Sequence, residues 1–211
     1  MSAAAALAVL PSSIGNTVAA ELEALAQALR RVTVRVHAGD GRFDAVGAGV
    51  LWPSDGEPLV LTNAHVVPPR RGDTPRIQNA AGHTVASRVI ARNRDADLAL
   101  LSLVDAPNDF GVAATLGRAR DLRVGEIVVA LGHPLGVDGA LSVGVVHAVP
   151  TEDDDWLRAD IRLAPGNSGG PLATLDGAVI GVNAMIVRGL GIAVSSQVAR
   201  QFVHAALSCR L

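Results

Sequence analysis

Pro165-Gly166-Asn167-Ser168-Gly169-Gly170-Pro171-Leu172 is the stretch on which the reading of the whole chain turns. A hydroxyl stands at its centre. Glycines on either side permit a tight loop with unusual dihedrals and a close approach of backbone to a bound molecule. Prolines at both ends restrict that loop. Apolar alternation follows, so the loop is mounted at the start of a strand. Such a loop holds a serine forward while backbone N–H groups converge beside it. Convergent donors lower the barrier of acyl transfer, in which negative charge builds on a carbonyl oxygen. The backbone of Gly166, Asn167 and Ser168 is the candidate oxyanion hole, with the N–H groups of Gly166 and Ser168 its natural donors.

A serine hydroxyl is a weak nucleophile without an adjacent base that is itself oriented by a third group. The chain holds six histidines. His65 follows the apolar run Leu59-Val60-Leu61 within Leu61-Thr62-Asn63-Ala64-His65-Val66-Val67, which puts an imidazole at a strand end. Asp97 opens a second apolar run, Leu98-Ala99-Leu100-Leu101, so its carboxylate can reach inward beside an imidazole. His65, Asp97 and Ser168 are therefore the candidate catalytic residues. Their chain order alone decides nothing, because the same trio recurs in several orders on unrelated folds.

TNAHVV, DADLALL, LRVGEIVVALGHPLG and APGNSGGPL resemble the HtrA/Deg branch of the chymotrypsin-like serine proteases. The resemblance runs from about Val32 to Phe202. It implies an all-β fold of two six-stranded antiparallel barrels with the site in the cleft between them, and short helices at the two termini. By matching position it makes His65 the general base, Asp97 its orienting partner, Ser168 the nucleophile and Gly166 an oxyanion donor. It also implies polypeptide substrates, cut after small or medium apolar residues. Relatives often continue into a peptide-binding PDZ domain, and nothing follows the closing helix here to build one.

Composition narrows the alternatives. The 211 residues suffice for one bilobed unit. Hydrophobic content of 49% and a mean hydropathy of +0.35 argue against disorder. Aromatics are 2% of the chain, so Ala, Val, Leu and Ile must build the core. The net charge of −2 provides no broad basic face, so a nucleic-acid partner is not expected. A single cysteine, Cys209, excludes an intrachain disulfide. Residues 3–10 are apolar but short, with no preceding Lys or Arg. They make a poor signal peptide and no membrane span. A cytoplasmic location is favoured, with the periplasm or secretion suggested by the family. No cofactor or metal is expected, and the acidic run Glu152-Asp153-Asp154-Asp155 reads as a solvated loop rather than a calcium site.

Along the chain, residues 1–31 form an N-terminal segment. Its helix spans Asn16 to Arg31, capped by Asn16 or Thr17, with Leu22, Leu25 and Leu29 on one face. It reads either as an oligomerisation arm or as a helix packed on the outside of a barrel, and both a homotrimer and a monomer stay open. Residues 32–106 make the first barrel, 107–124 a linker, 125–196 the second barrel and 197–211 a C-terminal helix capped by Ser195 or Ser196. Strands are expected at 32–36, 46–52, 59–61, 84–91, 97–103, 126–131, 141–149, 178–186 and 192–194. Asp40-Gly41 marks a hairpin turn, and Arg70-Arg71 lies in a loop from Pro68 to Pro75. His133, in a turn beside Pro134, and His147 read as structural.

The candidate substrate-binding residues are Arg162, Leu163, Ala164, Asn183, Ala184 and Met185. Arg162 stands six before the serine, where trypsin-like enzymes set charge preference. Pointing inward it favours an acidic side chain. Pointing outward it is a surface charge, and alternation beside Leu163 favours that reading. The rival class is a protease fold that grips peptide as an added strand with little or latent cleavage.

Overall fold

The computed structural model describes residues 12–38, 45–54, 56–67 and 74–209. The apolar stretch 3–10, the Asp40-Gly41 turn and the Arg70-Arg71 part of the following loop lie outside the described residues. Helix α1 spans Ser12–Val32. It begins four residues before Asn16, so Asn16 and Thr17 sit within its first turns and do not cap it. The leucine face is placed as its spacing requires. Leu25 and Leu29 are buried against Val129, Leu131 and Ala173, with Leu22 packed alongside. Over this part of its length the helix therefore lies on the outside of the second barrel.

The first barrel comprises β1 (Thr33–Ala38), β2 (Ala45–Trp52), β3 (Leu59–Thr62), β4 (Arg76–Gln78), β5 (Thr84–Asn93) and β6 (Leu98–Leu103), closed in the order β1-β2-β3-β6-β5-β4. The second comprises β7 (Ile127–Gly132), β8 (Ala140–Ala148), β9 (Trp156–Asp160), β10 (Pro171–Thr174), β11 (Val179–Val187) and β12 (Leu190–Ser195), closed as β7-β8-β9-β12-β11-β10. The two halves repeat one strand order, and closure leaves neither sheet an unpaired edge strand.

Two strands go beyond the sequence expectations. β4 is only three residues long and buries Ile77 alone, too short for any period to show. β9 sits directly behind the acidic run, and its inward residues Leu157 and Ala159 alternate with half-buried Trp156 and Arg158.

Each barrel has an aliphatic core. Val34, Val36, Val60, Ile77 and Leu101 fill the first, and Val128, Leu157, Leu172 and Ile180 the second. A third cluster joins Leu61, Leu98 and Leu100 of the first barrel to Val182, Ala184 and Val194 of the second, and to Ala199 and Val203 of helix α2 (Ser196–Ser208). A fully buried leucine or valine contributes about 1.5–3 kcal/mol, so this shared cluster fixes how the barrels meet. Ser195 caps α2 by accepting from the Val198 N–H, as its position suggests. The connection between barrels is stitched to both. Ala114 N–H donates to Leu51, and Gly117 N–H to Val179.

Candidate active site

β3 and β6 run antiparallel with Thr62 opposite Ala99. The turn that leaves β3 and the turn that enters β6 consequently lie at the same end of the pair. The first carries His65 and the second Asp97. The Asp97 turn is built locally. The side chain of Asn93, the last residue of β5, accepts from the N–H groups of Asp95 and Ala96 at 3.0 Å each. Asp97 then adopts φ 52°, a left-handed conformation that Asp and Asn tolerate better than other residues with a side chain. Its carboxylate takes two bonds from His65, one from the backbone N–H at 3.1 Å and one from Nδ1 at 2.7 Å. The second bond sets the tautomer, leaving Nε2 as the ring's free base. The Asp97 hydrogen bond holds the His65 pKa above its ordinary value, against the opposing effect of partial burial.

Asn63 completes this half of the site and has no counterpart among the sequence expectations. It is fully buried, and its Nδ2 donates to the Asp97 carbonyl at 2.9 Å. It therefore pins the strained residue from the strand behind.

The serine loop connects β9 to β10 and packs on the first barrel. Ala48 N–H donates to the Ser168 carbonyl at 2.8 Å. Gly47 lets the loop come this close, because a Cβ there would sit 2.5 Å from Val66 Cγ1 and 3.2 Å from the Ser168 carbonyl oxygen. Val66 is the neighbour of His65, so the histidine turn and the serine loop converge on one glycine. The Ser168 hydroxyl donates to the Ala184 carbonyl at 3.2 Å rather than to the imidazole.

Gly166 has φ 104°, and its carbonyl accepts from His133 N–H at 3.0 Å. That bond ties the carbonyl of the 166–167 peptide to the turn that follows β7. Among the described residues the N–H groups of Gly166 and Ser168 have no protein partner, whereas Asn167 N–H is bonded to the Ala164 carbonyl at 3.0 Å. The Asn167 N–H closes the turn, which leaves the N–H groups of Gly166 and Ser168 as the candidate donors of this loop. The role of the His133 backbone was not visible in the sequence, which marks His133 only as a turn residue.

Beside the serine lies a cleft of ≈260 Å³ lined by Leu163, Ala164, Asn183, Ala184 and Met185, and also by Pro165, Asn167 and Ile186. Arg162 is exposed and does not line it, consistent with the outward orientation. The wall is mostly apolar and carries no charged side chain.

Two closed barrels of one topology, with a paired imidazole and carboxylate on the first and a glycine-flanked serine loop of the second packed against it, define a chymotrypsin-like double-barrel architecture. Comparison with known proteins agrees. The family model of the trypsin-like peptidase domain matches residues 47–182, and the chain belongs to that family. It is 36% identical over 169 residues to serine protease HTRA1A of Danio rerio, covering 75% of this chain and 34% of that protein. It is 36% identical over 168 residues to mitochondrial serine protease HTRA2 of Bos taurus, covering 75% and 35%. The putative serine protease HhoB of Synechocystis is 36% identical over 173 residues, covering 76% and 40%. The chain thus spans about a third of the length of the curated relatives it matches. Among solved structures, HtrA-type protease AlgW with a tripeptide superposes with a TM-score of 0.75 at 26% identity, covering 86% of this chain and 62% of that one. AlgW with a decapeptide gives 0.74 at 22% identity, covering 87% and 66%.

Proposed function

We propose that the protein is a serine endopeptidase acting through an acyl-enzyme on Ser168. The observation that carries this reading is the double grip of Asp97 on His65, on a turn that meets the serine loop at Gly47, where the N–H groups of Gly166 and Ser168 have no partner among the described residues. A rotation of the Ser168 side chain exchanges the Ala184 carbonyl for His65 Nε2. Oγ then attacks the peptide carbonyl as Nε2 takes its proton. The charge formed on oxygen is held by the N–H groups of Gly166 and Ser168. Asp97 stabilises the imidazolium, which next protonates the leaving amine, and water repeats the cycle on the ester. The apolar cleft favours a small or medium apolar side chain before the cut, in unfolded or misfolded polypeptides.

The second reading, a peptide-gripping module with latent cleavage, draws on one observation: the serine hydroxyl rests on Ala184. One experiment separates the two. The full chain is treated with a fluorophosphonate and tested for casein degradation beside Ser168→Ala and His65→Ala. Labelling and cleavage by the wild type alone support the enzyme. Casein binding without labelling or cleavage supports the module.

A further inference from the structure

Away from the serine, the end of α1, strand β1, the β4–β5 hairpin and the β7–β8 turn enclose a cavity of ≈160 Å³. Arg30, Arg35 and His133 line it, with a single carboxylate, Asp138. The cations are fixed in place. The stem of Arg30 lies over Gly139, where a Cβ would stand 2.6 Å from Nε, and that Nε donates to the Gly139 carbonyl at 3.2 Å. The Arg35 side chain is 16% exposed, pairs with Asp138 and donates to the Gly136 carbonyl at 3.4 Å. His133 Nδ1 accepts from Gly139 N–H at 3.4 Å and faces Asp138 at 3.3 Å. Burial and the nearby Arg35 hold this imidazole below its ordinary pKa, against the pull of Asp138, so it is neutral at neutral pH.

The charges do not balance. Two guanidinium groups face one carboxylate, and that carboxylate is 77% exposed, where water screens its attraction. Arg35 Nε is buried without a partner among the described residues. A largely buried guanidinium whose one counter-charge is a solvated carboxylate, helped by a single long bond to the Gly136 carbonyl, carries an unrecovered desolvation cost. A second anion would recover it, since guanidinium forks match carboxylate and phosphate oxygens. The cavity has room for several waters, at about 30 Å³ each in the liquid, which suits one small charged group and not a chain of apolar residues. We propose that this cavity binds a compact oxyanion, a carboxylate or phosphate group held between Arg30 and Arg35.

The position gives the site reach. His133 lines the cavity with its ring and holds the Gly166 carbonyl with its backbone N–H. Filling the cavity therefore acts on Gly166 through its carbonyl, and so on the residue whose N–H is read above as an oxyanion donor. This second step rests on the protease reading above, while binding does not.

The test uses the full chain as Ser168→Ala, titrated by calorimetry with inorganic phosphate and with acetate, each against chloride at matched ionic strength. The expected result is saturable binding of at least one, and the arm that binds says which oxyanion the cavity takes. Arg35→Gln should weaken it about ten-fold or more. Asp138→Asn should tighten it several-fold, because the competing carboxylate is gone. Where Arg35→Gln does not fold, the exposed Arg30→Gln reads the same interaction. No saturable binding of either ion, or binding indifferent to these substitutions, overturns the site. Saturating anion should also change kcat of the wild type on a peptide. Binding with unchanged kcat sinks the coupling alone, and a wild type without any cleavage sinks the protease reading while leaving the binding result intact.

Discussion

Gly166→Ala tests the oxyanion assignment at one atom. The residue sits at φ 104°, in the left-handed region, where a side chain costs roughly 1–2 kcal/mol. Space is a harder limit than strain. The new Cβ would run into the His133 carbonyl oxygen, with the His133 carbonyl carbon at 2.7 Å and Pro134 Cα at 3.0 Å. All three are backbone atoms, which cannot swing aside as a side chain does, so Gly166 must move instead. Its N–H then leaves the position from which it can meet a carbonyl oxygen of substrate. Loss of one such donor costs about 2.7–4 kcal/mol in the transition state, or 10²–10³ in kcat. The His65–Asp97 pair and the Ser168 hydroxyl make no bond to Gly166 and should be unaffected. Steady-state kinetics on a fluorogenic peptide should show kcat falling by about 10²–10³ with KM nearly unchanged. A parallel melt should show a fall of a few degrees, since 1 kcal/mol is about 2–4 °C for a protein of this size. A folded variant with kcat within about three-fold of wild type would refute the donor role.

Cleavage should rise with pH through one ionisation above about 6.5, because the Asp97 bond raises the His65 pKa and the base must be neutral to take a proton. Asp97→Asn should move that limb to lower pH and cut kcat by orders of magnitude, and an unmoved limb in a pH–rate series would exclude this pairing. Asn63→Ala releases the Asp97 carbonyl from its buried donor. It should cost about 1–3 kcal/mol in a denaturant melt and lower kcat without changing side-chain preference in a peptide library. Arg162→Ala should leave that preference for apolar residues intact, since Arg162 is exposed and outside the cleft; loss of cleavage after Asp or Glu in the variant would return Arg162 to the pocket.

The parts of this architecture that could be read from the chain are those with a local signal. Leu22, Leu25 and Leu29 announce a helix face by spacing, and the apolar runs at 46–52, 59–61 and 98–103 announce strands. β4 offers one buried residue, Ile77, and β9 is masked by the charge that precedes it. The start of α1 was missed for the opposite reason: Asn16 and Thr17 are good caps, but helical sequence continues before them to Ser12. His65 and Ser168 stand in compact motifs. Asn63 is adjacent to one of them, yet its bond to Asp97 spans 34 residues, and no local pattern encodes a partner that far away. The fate of the Asn167 N–H depends on whether the turn closes on Ala164, a matter of backbone geometry that residue types leave open.

Register is what converts separated motifs into a site. Pairing Thr62 with Ala99 places the exit of β3 beside the entrance of β6. His65 and Asp97 then need only short turns to meet, although they stand 32 positions apart in the chain. A one-residue slip of that pair would send alternate side chains to the wrong face. A slip of β6 would turn Leu98 and Leu100, which with Leu61 bind the first barrel to the second, toward the interior of the first. The hydrophobic contact that joins the barrels and the polar contact that orients the imidazole are thus enforced by the same strand pair. Damage to the shared core should therefore reach the His65–Asp97 bond before it unfolds either barrel.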